Sequence, residues 1–380
     1  MKISLVIPTY NMVGKVNYCL NSLVNQTILQ NKLAELEVIA VDDCSTDSTW
    51  EILSDYEKRY PHIIKAVHSP ENHRQGGARN LGFSLSTGEY IGMIDADDWV
   101  APDFCEKLLR KSLETGADLV ACGYRIVHDH KSTGGGTVVL PKSGEEHTGR
   151  LNHIRRHNLI IYGGSLWRYL YRRERLLRDE NGNETFDIFP ADMFFEDNSA
   201  GINMLMKATH YEIVPEPLYY YWQNPTSTVH VFSWGKMHDR VKSGFLIKDY
   251  AVRYGYYDEF KDEVEARLTE MMYIGTIWLA MWYEERDEKF LQELKTKFLS
   301  LVPDWEKNPY INDVSALHLR TLAKFYTHNH LKIGWFIATI LYTFYEPNAT
   351  KLGRSIKFLF TDPKTFIIKL KKNLRKLCQK

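Results

Sequence analysis

The first hundred residues alternate short apolar runs with segments of helical periodicity. The runs cover residues 3–8, 36–41, 63–68 and 90–94, and in the first intervening segment residues 16–26 place apolar side chains at helical spacing. Strand, helix and strand units of this length are typical of a parallel sheet with right-handed crossovers. The sequence therefore predicts an α/β fold with a mostly parallel, Rossmann-like central sheet flanked by helices.

The fourth run, within EYIGMIDADDWV (residues 89–100), ends abruptly in three carboxylates, Asp95, Asp97 and Asp98. Open α/β sheets bind ligands at the carboxyl ends of such strands. Burying three like charges unpaired is unfavourable, so a compensating cation is expected. Oxygen ligands favour Mg²⁺ or Mn²⁺, which usually binds through one or two carboxylates plus substrate phosphates. On this stretch alone, a helix cap formed by Asp97 and Asp98 before Pro102 explains the pattern equally well.

Polar residues also follow the first two runs. Thr9, Tyr10 and Asn11 come after the first run, and Asp42 and Asp43 come after the second. Because the carboxyl ends of parallel strands meet at one edge of a sheet, these side chains are expected near the DADD carboxylates. The combination predicts a nucleotide site rather than scattered helix caps.

The composition allows a large core but excludes several classes of protein. With 380 residues, 44% hydrophobic and 25% charged, the chain is long enough for two domains or for one domain with an extension. Its five cysteines are scattered without a CxxC pair, so neither a disulfide framework nor a zinc site is expected. The N-terminus passes directly into a strand without signal-peptide features. A cytoplasmic protein is expected.

A formal net charge of zero hides a basic C-terminus. Residues 350–380 contain ten Lys and Arg against one Asp, which argues for a local basic surface and against a general nucleic-acid binder. Apolar residues alternate with these charges, so residues 346–380 are predicted to form an amphipathic tail suited to an anionic membrane surface. The alternative is a basic helix that packs on the acidic body of the protein.

Seven motifs follow one another along the first part of the chain: SLVIPTYN, VDDCSTDST, GGARNLG, EYIGMIDADDW, SLWRYLYRRE, FFEDNSAG and PLYYYWQNPTST. In this order they resemble the motifs of the inverting glycosyltransferases of family 2, which have the GT-A fold. The match covers residues 1–228 and implies a catalytic domain that binds a nucleotide-sugar and an acceptor. Residues 229–345 show helical periodicity and are predicted to form a C-terminal helical extension.

The resemblance implies a set of donor-binding residues drawn from several strand ends. They are Pro8, Thr9 and Tyr10 for base and ribose, Asp42 and Asp43 for the uracil loop, Arg79 and Asn80 for closing over the nucleotide, and Asp95 for the ribose or a metal-bound water. Within this set, Asp43 would accept a hydrogen bond from the uracil ring N–H. The family usually has Gly at the position of Cys44, so the turn departs from the family pattern there.

The resemblance also implies different roles for the three carboxylates at the metal site. It makes Asp97 the direct ligand of Mn²⁺ or Mg²⁺, with Asp95 beside it, and Asp98 either supports the site or faces the acceptor. His230 is a candidate second contact to the diphosphate or the metal, although a lone His is more often structural.

The general base is expected in FFEDNSAG. The Asp of this ED pair faces the acceptor hydroxyl in the family, which makes Asp197 the candidate base and Glu196 a neighbour that raises its pKa. The simpler interpretation is that two acidic residues favour a helix N-terminus.

Two further segments have no assigned role. Residues 131–149, rich in Gly, Ser and Thr, indicate a loop or hairpin that either borders the acceptor site or is a surface insertion. The aromatics of the helical region, among them Trp282 and Trp305, could stack on a carbohydrate, but at helical spacing they are more often core.

Together these features predict a metal-dependent inverting glycosyltransferase. It would transfer a sugar from a nucleotide donor, with a UDP-sugar expected, to a hydroxyl of a lipid-linked or surface glycan at the inner face of a bacterial cell membrane. A sugar nucleotidyltransferase is an alternative, but it would need a basic, glycine-rich loop near the first strand to bind a triphosphate. The segment after that strand offers only Lys15. A catalytically inactive glycan-binding or scaffold protein is another.

Overall fold

The structure is a computed structural model of the chain. The described residues are 1–129, 135–163, 165–223, 233–281, 287–334 and 337–338. The chain divides into two compact units, Met1–Leu268 and Thr269–Lys380. The domain boundary predicted at residue 228 stays a prediction, while His230 and the predicted tail (residues 346–380) lie outside the described residues.

In the described part of the first unit, ten strands form one sheet. They are β1 (Lys2–Thr9), β2 (Glu35–Asp42), β3 (Ile64–His68), β4 (Tyr90–Met93), β5 (Trp99–Val100), β6 (Leu119–Val127), β7 (Thr137–Val139), β8 (Gly149–Arg150), β9 (Tyr169–Arg172) and β10 (His210–Trp222). Their order is β3-β2-β1-β4-β9-β6-β10-β5, with β7 beside β6 and β8 beside β10. The pairs among β1 to β4 are parallel, as is β6 with β10, whereas β9 and β5 pair antiparallel with their neighbours.

Helices flank this sheet and make up most of the described part of the second unit. In the first unit they are α1 (Val16–Val24), α2 (Thr27–Gln30), α3 (Thr49–Arg59), α4 (Arg74–Leu85), α5 (Phe104–Thr115), α6 (His153–Tyr162), α7 (Arg173–Leu176), α8 (Glu196–Met206), α9 (Trp234–Arg253) and α10 (Lys261–Leu268). In the second unit they are α11 (Gly275–Met281), α12 (Glu288–Leu301), α13 (Ile311–Val314) and α14 (Leu317–Thr327). The α/β sheet and the C-terminal helices confirm the predicted fold class.

Strand β1 is buried on both faces. Ile3, Leu5 and Ile7 belong to one core cluster, whereas Val6 packs with Phe83 of α4 in another. A strand covered on both sides needs a near-continuous apolar run, which explains the strong pattern in the sequence. The strand order places β1 between β2 and β4, so its carboxyl end lies between the other two strand ends that carry the predicted site.

The second unit has its own aromatic core. Tyr273 stacks on Phe298 with ring centroids 4.1 Å apart, and Trp305, which is 2% exposed, meets Tyr273 edge-on. Trp305 is therefore a core residue rather than a carbohydrate platform, and Trp282 lies outside the described residues. Across the residues that the structure describes, we find no helix with the length and apolar character needed to span a bilayer.

Candidate active site

The carboxyl ends of β1 and β2 bring the predicted base and ribose residues together. Thr9 pairs in register with Asp42, and the backbone N–H of Asp43 donates to the Thr9 carbonyl oxygen at 2.8 Å. Pro8 and Thr9 are buried, whereas the Tyr10 side chain is largely exposed. Tyr10 is thus the ring at this edge that a ligand can reach directly.

Each of the two carboxylates at the end of β2 has a hydrogen-bond partner for one oxygen only. Asp42 Oδ2 lies 2.7 Å from His68 Nδ1, and Asp43 Oδ1 accepts a hydrogen bond from the His73 backbone N–H at 2.8 Å. The remaining oxygens, Asp42 Oδ1 and Asp43 Oδ2, are buried and have no partner among the described residues. Burial raises the pKa of Asp43. Because unpaired buried acceptors are unfavourable, this pair fits a ligand that supplies N–H groups.

Cys44 has the backbone conformation that the family's glycine would favour. Its φ is +60°, in the left-handed region. An L-residue there is strained by about 1–2 kcal/mol, whereas glycine is not. The turn at Cys44 therefore has a conformation that glycine would adopt without strain.

Asp98 anchors the DADD turn to the sheet. It is 1% exposed, and it accepts hydrogen bonds from the Tyr219 hydroxyl at 2.7 Å and from the Trp222 backbone N–H at 2.8 Å. The Tyr219 oxygen also accepts a hydrogen bond from the Asp95 backbone N–H at 3.2 Å. The sequence analysis did not single out Tyr219, although it lies in the matched PLYYYW motif. These contacts favour a supporting role for Asp98 over an acceptor contact.

Asp97 is the carboxylate of the turn that remains for a ligand. No other residue of the described ranges gives its side chain a hydrogen bond or an ion pair within contact distance, and burial together with the charge of Asp95 raises the pKa of Asp97 to about 6. The described residues contain no group of three or more His, Cys, Asp or Glu able to hold a metal. A hard cation bound by Asp97 and Asp95 would need further oxygens, which nucleotide phosphates supply in such enzymes. The donor set therefore fits Mn²⁺ or Mg²⁺ when a nucleotide is present.

Arg79 joins the end of β4 to the start of α8. Its buried guanidinium donates to Glu196 Oε1 at 2.5 Å and to Asp95 Oδ1 at 3.0 Å. Burial raises the pKa of Glu196 to about 7, with Arg79 opposing the rise and Asp197 adding to it. Arg79 was expected to close over the nucleotide. In this structure it instead forms a bridge between two carboxylates on either side of the site.

Asp197 is the exposed member of the ED pair. Its Oδ1 accepts hydrogen bonds from the backbone and the side-chain amide of Asn198, at 2.9 and 3.2 Å. The carboxylate lines a pocket of about 240 Å³ together with Leu166 and Arg267. Although Asp197 reaches solvent through this pocket, the surrounding protein raises its pKa, with Arg79 opposing. A carboxylate with a raised pKa, in a pocket open to solvent, is suited to take a proton from a bound hydroxyl.

Helix α9 fixes the turn that presents this pair. Phe195, which precedes α8, has φ +63°, and its carbonyl oxygen accepts a hydrogen bond from the Ser243 hydroxyl at 2.9 Å. The Phe194 backbone N–H donates to Asp239 Oδ2 at 3.0 Å. Sequence reasoning missed Asp239 and Ser243, because no local motif marks them.

The side-chain amide of Asn80 makes all its hydrogen bonds within the protein. Its amide nitrogen donates to Asp187 Oδ1 and to the Phe189 carbonyl oxygen, and its oxygen accepts from the Ile188 and Phe189 backbone N–H groups. These four contacts exhaust the hydrogen-bonding capacity of the amide. In this structure Asn80 therefore holds the segment before the ED pair rather than facing a nucleotide.

Several known proteins are similar to this chain over part of its length. The sequence model described as Glycosyl transferase family 2 matches residues 4–197. An uncharacterized glycosyltransferase of Bacillus subtilis, EpsJ, is 31% identical over 238 residues, 60% of this chain and 63% of the relative. The poly(ribitol-phosphate) beta-glucosyltransferase of Bacillus spizizenii is 37% identical over 119 residues, 31% of this chain and 18% of that protein. The chain thus spans less than two thirds of either relative.

A solved structure covers more of the chain. The S. aureus protein TarS 1-349, in complex with UDP-GlcNAc, has a TM-score of 0.62 and 20% identity, and the match covers 87% of this chain and 89% of that one. At this level of identity the likeness shows the fold alone.

Proposed function

The chain belongs to glycosyl transferase family 2, and we propose that it is an inverting enzyme that transfers a sugar from a UDP-sugar to an acceptor hydroxyl by a single displacement. The observation that carries this proposal is the Asp95–Arg79–Glu196 bridge. It joins the carboxylate turn, which would face the donor diphosphate, to the helix that presents Asp197 to an open pocket. The donor diphosphate and the acceptor hydroxyl would thus lie on either side of the buried Arg79.

The choice of UDP rests on the strand ends. Asp43 Oδ2 is a buried acceptor without a partner in the described structure, and the N3–H of uracil is a donor that would satisfy it. The exposed Tyr10 ring would cover the base or ribose. TarS, which shares the fold, is bound to UDP-GlcNAc in one crystal structure and to UDP in another.

Asp97, with Asp95 beside it, would hold a divalent cation at the donor diphosphate. When bound, the cation would stabilise the negative charge that develops on the leaving diphosphate. Asp98 and Tyr219 keep the turn in place through their buried hydrogen bond.

Asp197 would act as the general base. Its carboxylate takes the proton of the acceptor hydroxyl while that oxygen forms a bond to the anomeric carbon, and the bond from that carbon to the diphosphate breaks, so UDP leaves with the electron pair. Attack from the face opposite the leaving group inverts the anomeric carbon. The raised pKa makes Asp197 a stronger base than an ordinary aspartate, and Arg79 limits the rise.

Two variants separate donor binding from chemistry. Asp97→Asn should abolish the Mn²⁺-dependent part of UDP binding in calorimetry. Asp197→Asn should keep donor binding but lower kcat by about 10²–10⁴-fold, the range found for general bases. Asp55→Asn, an exposed position on α3, is the matched control for loss of one carboxylate.

The outcomes also test the alternatives. Unchanged Mn²⁺-dependent affinity in Asp97→Asn would contradict the metal assignment, and ordinary turnover by Asp197→Asn would place the base elsewhere. A nucleotidyltransferase would release pyrophosphate from a nucleoside triphosphate, whereas the proposed reaction releases UDP. An inactive scaffold would show neither product.

The acceptor is proposed to be a lipid-linked or surface glycan reached at the inner face of the cell membrane. This rests on the charge of residues 350–380, ten basic residues against one acidic. Anionic lipids attract such segments by about 1 kcal/mol per basic residue near the surface.

A further inference from the structure

A buried arginine without an acidic partner lies beside the proposed acceptor pocket. Arg168 is 7% exposed. The polar contact described for its guanidinium is to the neutral Tyr169 hydroxyl at 3.1 Å, and its Nε has no partner in the described structure. No carboxylate of the described residues forms an ion pair with it, and burying a charge without a counter-charge is strongly unfavourable. An unbalanced buried cation of this kind indicates an anion supplied from outside the chain.

Arg168 lines a recess that opens to solvent. The recess is small, about 20 Å³ against about 240 Å³ for the Asp197 pocket, and its wall includes Lys142, His147, Asn158 and Arg168 but no carboxylate. The Lys142 ammonium lies 3.2 Å from the centroid of the Tyr162 ring, which holds it at the wall. The wall therefore combines two cations with an imidazole and an amide, a donor set suited to phosphate or carboxylate oxygens.

One acidic group lies at the rim and does not close the recess. Glu146 Oε1 is 3.4 Å from His147 Nε2, and the Glu146 side chain is 72% exposed. An exposed carboxylate of this kind contributes little to the energy of a pair. It leaves the charge of Arg168, deeper in the recess, without compensation.

The recess and the Asp197 pocket share one wall. Gly163 lines both of them. A Cβ added at Gly163 would lie 2.5 Å from the Leu205 side chain of α8 and 2.2 Å from the Leu159 carbonyl oxygen, so a side chain at this position would clash. The shared residue Gly163 makes the recess a neighbour of the pocket in which the acceptor hydroxyl would lie at Asp197.

We propose that this recess, formed by Lys142, His147 and Arg168, binds an anionic group of the acceptor, a phosphate or a carboxylate, next to the hydroxyl that is glycosylated. The assignment to the acceptor rests on the proposed function. It also gives residues 135–149, the described part of the Gly-, Ser- and Thr-rich segment, a role in substrate binding, because Lys142 and His147 belong to it.

The test measures anion binding without turnover, so it is independent of the transfer chemistry. Inorganic phosphate and glucuronate are titrated into the full chain by calorimetry, with Lys142→Gln and His147→Gln as rim variants. Lys65→Gln, which removes an exposed cation on β3, is the matched control. Arg168→Lys keeps the charge and tests whether the planar guanidinium is required. If changes at Arg168 disturb folding, Lys142→Gln and His147→Gln still test the recess.

We expect each rim variant to weaken binding of the preferred anion at least about tenfold, equal to about 1.4 kcal/mol, while the control binds as the unchanged protein does. Stronger binding of phosphate than of glucuronate would identify a phosphate-bearing acceptor, and the reverse a sugar acid. Equal affinities in all variants, or binding of neither anion, would overturn the proposal. Competition by saturating UDP would also overturn it, because the anion would then occupy the donor site.

Discussion

Glu37 offers a quantitative test of how the strands that carry the site are held together. Its carboxylate, on β2, accepts hydrogen bonds from the Ser4 hydroxyl and the Thr87 backbone N–H, both at 2.5 Å, and pairs with Lys2 at 2.8 Å. Ser4 and Lys2 lie on β1, and Thr87 precedes β4. One side chain thus ties together the three strands whose ends form the donor edge.

The size of this effect follows from the pKa of Glu37. Burial alone would raise it, but the hydrogen bonds from Lys2, Ser4 and Thr87 outweigh burial and lower the pKa from 4.5 to about 2. The folded state therefore binds this proton less tightly than the unfolded chain does, so Glu37 stabilises the fold above pH 4.5, and this stabilisation is lost as the pH falls through about 2.

The corresponding free energy has an upper limit. At about 1.36 kcal/mol for each pKa unit, the change gives about 3.4 kcal/mol at most. The side chain is 16% exposed. We reduce the expected value to about 2 kcal/mol for solvent screening.

Urea unfolding of Glu37→Gln is the assay, with Glu35→Gln, an exposed residue of the same strand, as control. At pH 7 the Glu37 variant should lose about 2 kcal/mol of unfolding free energy relative to the unchanged chain, and the control should lose almost none. At pH 3 the loss in the Glu37 variant should be less than half as large, because the folded chain then gains less from the charge. Equal losses in both variants, or a loss that does not shrink at pH 3, would refute the reasoning.

Three further predictions concern the donor edge and the tail. Asp43→Asn should weaken UDP binding at least about tenfold in calorimetry, because an amide can present a donor to the uracil N–H; unchanged affinity would remove Asp43 from the base site. Cys44→Gly should raise the unfolding free energy by up to about 1 kcal/mol, because glycine adopts the observed φ without strain; a loss of stability would contradict this. A chain ending at Asn348 should lose co-sedimentation with anionic vesicles, and equal binding by the shortened chain would exclude the tail as the membrane contact.

The sheet was predictable because its central strands are buried on both faces. The run at residues 36–41 corresponds to β2 at Glu35–Asp42, and the run at residues 3–8 to β1 at Lys2–Thr9. A strand covered on both sides has few tolerated polar positions, so its apolar pattern is strong and local. The position of Asp43 at a strand end followed from the run at residues 36–41, and that of Asp97 beyond a strand end from the run at residues 90–94.

Local sequence does not show which DADD carboxylate anchors the turn and which remains available to a ligand. Asp95, Asp97 and Asp98 are chemically alike, and spacing gives no means to tell a buried anchor from a free ligand. The difference arises from β10, more than a hundred residues further along, where Tyr219 and the Trp222 backbone occupy Asp98. Only a tertiary contact of this kind can satisfy one carboxylate and leave its neighbour with a pKa of about 6.

Arg79 illustrates the same limit with a larger consequence for function. The resemblance implied that Arg79 closes over the nucleotide, where an arginine can meet either the uracil or a phosphate. The folded chain brings Glu196, 117 residues away, within 2.5 Å of it, and a buried carboxylate held beside Asp197 needs a nearby cation. Since the same guanidinium also binds Asp95, the charge at the donor turn and the protonation of the ED pair depend on one group. We therefore expect binding at the donor end to alter the electrostatic field at the proposed base.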